Sequence, residues 1–252
     1  MSIHSVVVDI IRKPPSLYEM KTFIFIITLL VAVHAEAQTK ASEPNVQEII
    51  QKFGATESQN KIARAKYAFV QDLTVQTIGA TGAVTGEIRR VSEITYDKDG
   101  KRIEKIISFP RPTVSGLALT PEDLQDLAGV QPFALTSEEL PKYRIDYKGR
   151  EHIDELDTYV FEVKPLKFVT GERYFQGKIW VDDRDLQVVK AKGQAVPEVG
   201  DQRFPHFESY RENIDGKYWF PTYVYADDVL KFKNASKHIK MIVKFTKYRK
   251  LS

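Results

Sequence analysis

The sequence contains no cysteine, which excludes disulfide bonds, thiolate metal sites and lipid attachment at an N-terminal cysteine. It also lacks a glycine-rich phosphate loop and a Gly-x-Ser-x-Gly nucleophile elbow. Beyond residue 37, histidine occurs only at His152, His206 and His238, none of which lies at metal-ligand spacing from another. The sequence therefore predicts no metal, no cofactor and no enzymatic activity. An envelope hydrolase with an unrecognised pair of carboxylates is the alternative.

Long apolar runs are also scarce, and the one that exists lies near the N-terminus. Lys21 precedes the apolar residues 22–33, which are too few to span a membrane comfortably. A small-x-small pattern that suits signal peptidase then ends at Ala37. We interpret residues 1–37 as a secretory signal peptide, for which an uncleaved membrane anchor is the alternative.

Export without cysteine is typical of a bacterial envelope protein. We expect translation to start at Met20 and the mature chain, residues 38–252, to form a single soluble domain in the periplasm, as a monomer. The 37 lysines and arginines exceed the 34 acidic residues so slightly that the charge gives no argument for binding nucleic acid.

The apolar pattern changes from helical to alternating near Tyr67. Residues 42–53 are predicted to form an amphipathic helix that ends at Gly54, and a second short helix is expected over 57–65. The apolar residues of the first helix recur at helical spacing: Val46, Ile49, Ile50 and Phe53.

Alternating apolar residues predict about ten long antiparallel strands. The first two begin at Tyr67 and Val84, and an insertion with helical pieces is expected over 113–141. The remaining strands are predicted at Arg102–Phe109, Tyr143–Ile153, Thr158–Lys164, Tyr174–Asp182, Gln187–Gly193, His206–Asn213, Phe220–Lys231 and Lys237–Arg249. The predicted fold class is therefore α+β, with one large curved antiparallel sheet that the N-terminal helix and the helical insertion cover.

Aromatic residues are concentrated on the predicted strands, as in a sheet core. Short helices cannot easily close the concave face of one curved sheet, so that face is either filled by the helices or left as an apolar pocket. The residues predicted to line such a ligand-binding pocket are Phe53, Phe69, Leu73, Val75, Ile88, Tyr159 and Phe161.

Two acidic clusters stand out, one at Asp182, Asp183 and Asp185 and the other at Asp227 and Asp228. Each has the composition of a cation site or an acid–base pair. Turn residues that face water are the favoured interpretation of both.

The last predicted strand has an apolar face and basic residues, among them Lys240 and Lys244. The favoured interpretation is an edge strand that lysines protect from aggregation. The alternative is attraction to anionic lipid headgroups or to an acidic partner.

A strand–turn–strand segment resembles the LolA-like family of outer-membrane lipoprotein-sorting and lipoprotein-carrier proteins. It reads Gly177-Lys178-Ile179-Trp180-Val181-Asp182 and then Asp185-Leu186-Gln187-Val188-Val189-Lys190. The earlier strand end Thr95-Tyr96-Asp97, followed by Gly100, is a weaker element of the same resemblance.

The resemblance implies an open, incomplete β-barrel with helices that form a lid over an apolar cavity. In the carrier members of the family this cavity holds acyl chains. The chain is thus expected to bind a lipid or the acyl chain of a lipoprotein, in lipoprotein sorting or envelope maintenance. The alternative is an envelope sensor or interaction protein with a membrane partner protein.

Overall fold

The structure is a computed structural model that describes residues 44–114, 133–198, 203–231 and 235–251. The description concerns the compact unit Asn45–Ser252. One helix is present in the described part, α1 (Val46–Arg64). The strands are β1 (Tyr67–Ile78), β2 (Val84–Tyr96), β3 (Arg102–Ser108), β4 (Tyr143–Ile153), β5 (Leu156–Pro165), β6 (Tyr174–Asp182), β7 (Val188–Val196), β8 (Phe207–Ile214), β9 (Tyr218–Lys231) and β10 (Ser236–Lys250).

These ten strands form one antiparallel sheet in the order β3-β2-β1-β10-β9-β8-β7-β6-β5-β4. Strands that follow one another along the chain are neighbours, except that β3 and β4 lie at opposite ends and β10 pairs with β1. Strand twist curves such a long sheet. No ladder joins β3 to β4 in the described residues, so the predicted open barrel is confirmed.

The last strand is not an edge strand, and that interpretation of its lysines is wrong. β10 lies in the middle of the sheet, hydrogen-bonded to β1 on one side and to β9 on the other. Lys240 instead lies 3.4 Å from Asp227 of the neighbouring strand. The pairing of the first and last strands joins residues far apart in sequence, so no local pattern reveals it.

Helix α1 is continuous, and its predicted end at Gly54 is wrong. It begins after Asn45, whose Oδ1 accepts the Glu48 N–H at 3.2 Å, and it runs past Gly54 to Arg64. A Cβ at Gly54 would lie 2.4 Å from Leu140 Cδ1. Gly54 therefore allows Leu140 to pack closely against the helix, and it does not end the helix.

Most of the insertion with helical pieces predicted over 113–141 lies outside the described residues, as does the predicted signal peptide. In its described last part, a turn leads into a single 3-10 turn, Leu140–Lys142, directly before β4.

The core lies between α1 and the concave face of the sheet. On β1 the buried residues Phe69, Leu73 and Val75 alternate with half-buried ones. Leu73 and Val75 lie directly opposite Val243 and Met241 of β10, which are also buried. Alternation of this kind places one apolar face of each strand toward the helix.

Two glycines face each other on β6 and β7, and the first opens the strand–turn–strand segment described above. A Cβ at Gly177 would lie 2.2 Å from the Lys192 carbonyl oxygen. A Cβ at Gly193 would lie 2.2 Å from the Gln176 carbonyl oxygen and 2.7 Å from the Phe175 ring. Both positions require the absence of a side chain because the obstacle is backbone of the paired strand.

We expect Gly177→Ala to destabilise the protein by about 1–3 kcal/mol, since the added methyl group forces the β6 and β7 backbones apart. Denaturant unfolding measures the change. Lys178→Ala, one residue along on the exposed side of the same strand, is the control and is expected to change stability by less than about 0.5 kcal/mol. Equal stability of Gly177→Ala and the wild type would contradict the close approach of the strands.

Candidate functional site

The predicted pocket residues lie on the concave side of the sheet or on the helix face that packs against it. Phe53 of α1 and Phe161 of β5 are fully buried, with ring centroids 5.6 Å apart. Phe69, Leu73 and Val75 belong to the same apolar cluster. The helix and the sheet therefore meet through aromatic side chains.

The other two predicted residues lie at the margins of this cluster. Ile88 is buried on β2 directly opposite Val75 of β1. Tyr159 is half-buried on β5, and its ring lies 6.2 Å from that of Tyr147 on β4. The structure thus brings the predicted residues to one face, and their role in holding a ligand stays a prediction.

A groove opens where α1 passes the end strand β4. Its volume is about 390 Å³, within the roughly 300–1,000 Å³ typical of small-molecule sites. Helix, turn and strand residues line it: Gln47, Ile50, Gln51, Ser137, Leu140, Pro141, Tyr143 and Ile145. Of these, sequence reasoning singled out only Ile50, as part of the helix stripe, because the approach of the 3-10 turn to the helix is a long-range contact.

Tyr143 gives the groove an oriented hydroxyl in addition to the polar side chains Gln47, Gln51 and Ser137. Its hydroxyl oxygen accepts the Phe175 backbone N–H at 3.2 Å. Burial raises the pKa of Tyr143, so the hydroxyl stays neutral at physiological pH. An uncharged groove with apolar side chains on the helix, the turn and the strand, and with one oriented hydroxyl, suits an acyl chain with a polar linkage near its end.

A loop of exposed apolar residues follows β5 close to this groove. Leu166, Phe168 and Val169 are 63%, 55% and 41% exposed. The Leu166 N–H donates to the Lys142 carbonyl oxygen at 2.8 Å, which ties the loop to the 3-10 turn. Contiguous exposed apolar residues are typical of an interaction surface.

Buried polar contacts fix the second half of α1 to the sheet. Arg211 Nη1 of β8 lies 2.5 Å from Glu57 Oε1, and both side chains are almost fully buried. Arg211 Nη2 also donates to the Phe133 carbonyl oxygen at 2.8 Å. One turn further along the helix, Asn60 Nδ2 donates to Gln187 Oε1 at 2.7 Å. The helix is thus held by specific polar contacts as well as by apolar packing.

A second polar network lies on the concave face near the other end of the sheet. Arg90 Nε and Arg102 Nη1 lie 3.3 Å and 2.9 Å from the two carboxylate oxygens of Glu104. Burial opposes ionisation of Glu104, but hydrogen bonds from Ser92 and Arg102 and the charges of both arginines lower its pKa. The carboxylate is therefore ionised, and the network carries one surplus positive charge.

A further open groove of about 560 Å³ runs along β8, β9 and β10. Its lining includes Glu212, Asp215, Lys244 and Lys247 beside Tyr223. Two acidic and two basic side chains balance in charge. They make this groove a poorer site for an acyl chain than the groove beside α1, whose lining residues are uncharged.

Some carboxylates of the two acidic clusters lie at the surface, and one lies in the interior. Asp183 pairs with Arg150, while Asp227 and Asp228 pair with histidines at the surface. Asp182 is only 4% exposed, so its interpretation as a turn residue that faces water is wrong. Among the described residues, no group of three or more His, Asp or Glu side chains is arranged to hold a metal ion.

Asp182 and Asp185 lie at the turn between β6 and β7, close enough to interact. Burial raises the pKa of Asp185, and the neighbouring Asp182 carboxyl raises it further. Since the folded protein then binds this proton more tightly than the unfolded chain, the stability that this group contributes is greatest at low pH. That contribution is lost as the pH rises from about 3.8, the ordinary value, through the folded pKa.

We expect Asp185→Asn to be more stable than the wild type at neutral pH, because the repulsion between the Asp182 and Asp185 carboxylates is removed. The single amide oxygen still accepts the Gln187 N–H, and the gain is reduced by loss of the Trp219 indole N–H contact to the second oxygen. The advantage is expected to shrink as the pH falls toward 4. Denaturant unfolding of both proteins between about pH 4 and pH 7 measures the difference. An advantage that grows on acidification would show that the two carboxyls do not repel.

Solved structures with a similar fold include three bacterial proteins. A domain assigned to outer-membrane lipoprotein sorting, from Vibrio parahaemolyticus, is 14% identical with a TM-score of 0.37, and the match covers 77% of this chain and 90% of that chain. The LolA superfamily protein NE2245 from Nitrosomonas europaea is 17% identical with a TM-score of 0.35, covering 79% and 94%. A DUF1329 family protein from Desulfovibrio piger is 16% identical with a TM-score of 0.39, covering 78% and 93%.

These are likenesses of fold at low sequence identity. A similarity at these identities and TM-scores carries no argument about ligand or partner. No protein-family model and no curated protein matches the sequence. Within the described residues, no helix has the length and apolar character needed to cross a membrane.

Proposed function

We propose that this protein is a binding protein of the bacterial envelope that takes up the acyl chain of a lipid or of a lipoprotein. The observation that carries the proposal is the groove of about 390 Å³ between α1 and β4, at the open end of a sheet with an apolar concave face. An acyl chain that enters there meets Ile50, Leu140 and Ile145 first. Continued entry requires α1 to move away from Phe161.

The proposal needs binding rather than catalysis. An apolar chain gains free energy by leaving water, at about 0.8 kcal/mol per buried methylene, and the lining residues need only exclude water. The seven predicted residues, Phe53 to Phe161, would form the deep part of the site once the helix has moved. A role in lipoprotein sorting or envelope maintenance follows from a ligand of this class.

A fluorescent dansyl-labelled fatty acid tests the proposal. We expect saturable binding to the wild type and displacement by an acylated peptide. Ile145→Glu, which places a charge in the groove, is expected to weaken binding by about tenfold or more. Ile103→Glu is the matched control, since Ile103 is 47% exposed on the end strand β3, far from the groove in strand order. Absence of saturable binding to a folded wild type would refute the proposal.

We further propose that residues 1–37 are removed on export and that residues 38–252 work as one monomeric domain in the periplasm. The small-x-small pattern that ends at Ala37 supports this. Cell fractionation and N-terminal sequencing test it. Recovery of the full-length chain only in the inner-membrane pellet would refute it.

The second candidate function is an envelope interaction protein or sensor, and the exposed loop at Leu166, Phe168 and Val169 favours it. The test is sedimentation with envelope vesicles and with vesicles of their extracted lipids. Binding only to the protein-containing vesicles would support a partner protein. Phe168→Ser is expected to lose this binding, and Val229→Ser, at a residue of similar exposure, is the control that is expected to keep it.

A further inference from the structure

The polar network on β1, β2 and β3 contains more cations than anions. Arg90 and Arg102 both approach Glu104, one at each carboxylate oxygen. Only 10% of the Arg90 side chain and 14% of the Glu104 side chain is exposed, against 26% for Arg102. A surplus charge in such a poorly hydrated place is costly unless an anion compensates it.

Hydrogen-bond donors are also in surplus. Glu104 Oε1 accepts from the Ser92 hydroxyl at 2.7 Å and forms an ion pair with Arg90, and its Oε2 accepts from Arg102 Nη1 at 2.9 Å, so both oxygens are occupied. Arg102 Nη2 donates to Gln71 Oε1 at 2.8 Å. This contact fixes the orientation of the Gln71 amide, because the opposite orientation would place two donors face to face.

The Gln71 amide nitrogen therefore faces a place where the described residues supply no acceptor. Gln71 is 4% exposed, and its Nε2 has no hydrogen-bond partner among the described residues. The Arg90 contact given for this network is made by its Nε, which lies 3.3 Å from Glu104 Oε1. A buried donor without a partner is rare in folded proteins, and Gln71 Nε2 lies on the same face as the surplus charge.

Apolar residues surround the network on that face. Arg90 lies directly opposite Leu73 of β1. On its own strand, Ile88 precedes it by two residues and Ile94 follows it by four. Ile106 of β3 lies opposite Ser92 and is 54% exposed. This part of the concave face therefore combines cationic hydrogen-bond donors with apolar side chains and is open to solvent at Ile106.

We propose that Arg90, Arg102 and Gln71 bind the anionic head of an amphiphile whose apolar chain lies along the concave face. The inference deepens the proposed function and rests on it. One surplus charge matches a head with one negative charge, which a carboxylate and a phosphodiester share. A ligand oxygen accepts from the Arg90 terminal nitrogens and from Gln71 Nε2, and it completes a network that the described residues leave short of one acceptor.

A purely structural Arg–Glu–Arg triad is the competing explanation. Such triads occur in cores, where each donor meets an acceptor of the protein itself. Gln71 Nε2 has none in the described residues, and a structural role does not require one of the arginines to be partly exposed beside an exposed isoleucine.

The test compares a dansyl-labelled fatty acid with its methyl ester, which has the same chain and no charge. The wild type is expected to bind the acid about tenfold or more tightly than the ester. Arg90→Gln is expected to weaken binding of the acid by about the same factor and to leave the ester unchanged. Arg89→Gln is the matched control, because Arg89 lies on the opposite face, is 50% exposed and pairs with Asp72.

Equal binding of acid and ester by the wild type would overturn this inference and leave the proposed function intact, whereas binding of neither would overturn the proposed function. Thermal melting of each variant checks that it folds. Should Arg90→Gln not fold, Arg102→Gln at the more exposed arginine replaces it, with the same expected loss. Displacement of the acid probe by oleate or by phosphatidylglycerol identifies the source of the head, and displacement by neither would count against the site.

Discussion

Arg211→Ala is expected to destabilise the protein by about 3–5 kcal/mol, because it leaves the Glu57 carboxylate buried without its partner. The Glu57 and Arg211 side chains are 1% and 5% exposed, and their charged atoms lie 2.5 Å apart. The substitution also removes the donor that the Phe133 carbonyl oxygen uses. Denaturant unfolding followed by circular dichroism measures the loss.

Two further variants separate the lost ion pair from other effects of the substitution. Arg144→Ala removes an arginine that is 68% exposed and pairs with Asp146, so we expect a change below about 1 kcal/mol. The double variant Glu57→Leu with Arg211→Leu removes both charges and is expected to recover most of the stability. A double variant as unstable as Arg211→Ala would show that the hydrogen bond to Phe133, rather than the charge, dominates.

This ion pair bears on the proposed entry of a ligand. It holds the second half of α1 to β8, while the groove lies beside the first half of the helix, near Gln47 and Ile50. The helix is thus anchored at one end next to a groove at the other. Weakening the pair is expected to increase access to the concave face as well as to lower stability.

Phe53→Ala is expected to cost about 3–5 kcal/mol if Phe53 acts only as a core residue. Its side chain is fully buried, and its ring packs against that of Phe161 between helix and sheet. Ile62→Ala on the same helix is the control, since Ile62 is 63% exposed and its loss is expected to change stability by less than about 0.5 kcal/mol.

Ligand binding gives the same variant a second readout. If Phe53 lines the acyl site, the affinity for the dansyl-labelled fatty acid changes by a larger free energy than the free energy of unfolding does. If Phe53 is core alone, the affinity stays within about twofold for the fraction that is folded. Unchanged unfolding together with unchanged binding would contradict both roles.

Local patterns predicted most of the strands. The bounds of β4 and β6, Tyr143–Ile153 and Tyr174–Asp182, agree with the prediction to the residue. The alternation in these segments reflects one face toward the core and one toward water, which the sequence records directly. Arg90 and Ser92 interrupt the alternation on β2, and the structure shows that they belong to a polar network on the concave face.

Long-range contacts account for the failures. The sequence pattern predicts a helix end at Gly54 because it does not show that Leu140 packs against this residue. The sequence pattern predicts an exposed turn residue at Asp182 because its burial depends on residues that are distant in the sequence. Glu57 and Arg211 are charged residues 154 positions apart, so nothing local marks them as a buried pair.

The amino-acid sequence by itself determined most of the strands, their apolar faces and the absence of cysteine chemistry. It did so because strand alternation and helix periodicity depend on neighbours within a few residues. Only the tertiary structure decided that β10 lies in the middle of the sheet, that α1 meets β4 at a groove, and that two arginines share one glutamate on the concave face. Those features arise from the pairing of β1 with β10 and from the docking of α1, which join residues that are distant in the chain and adjacent only after folding.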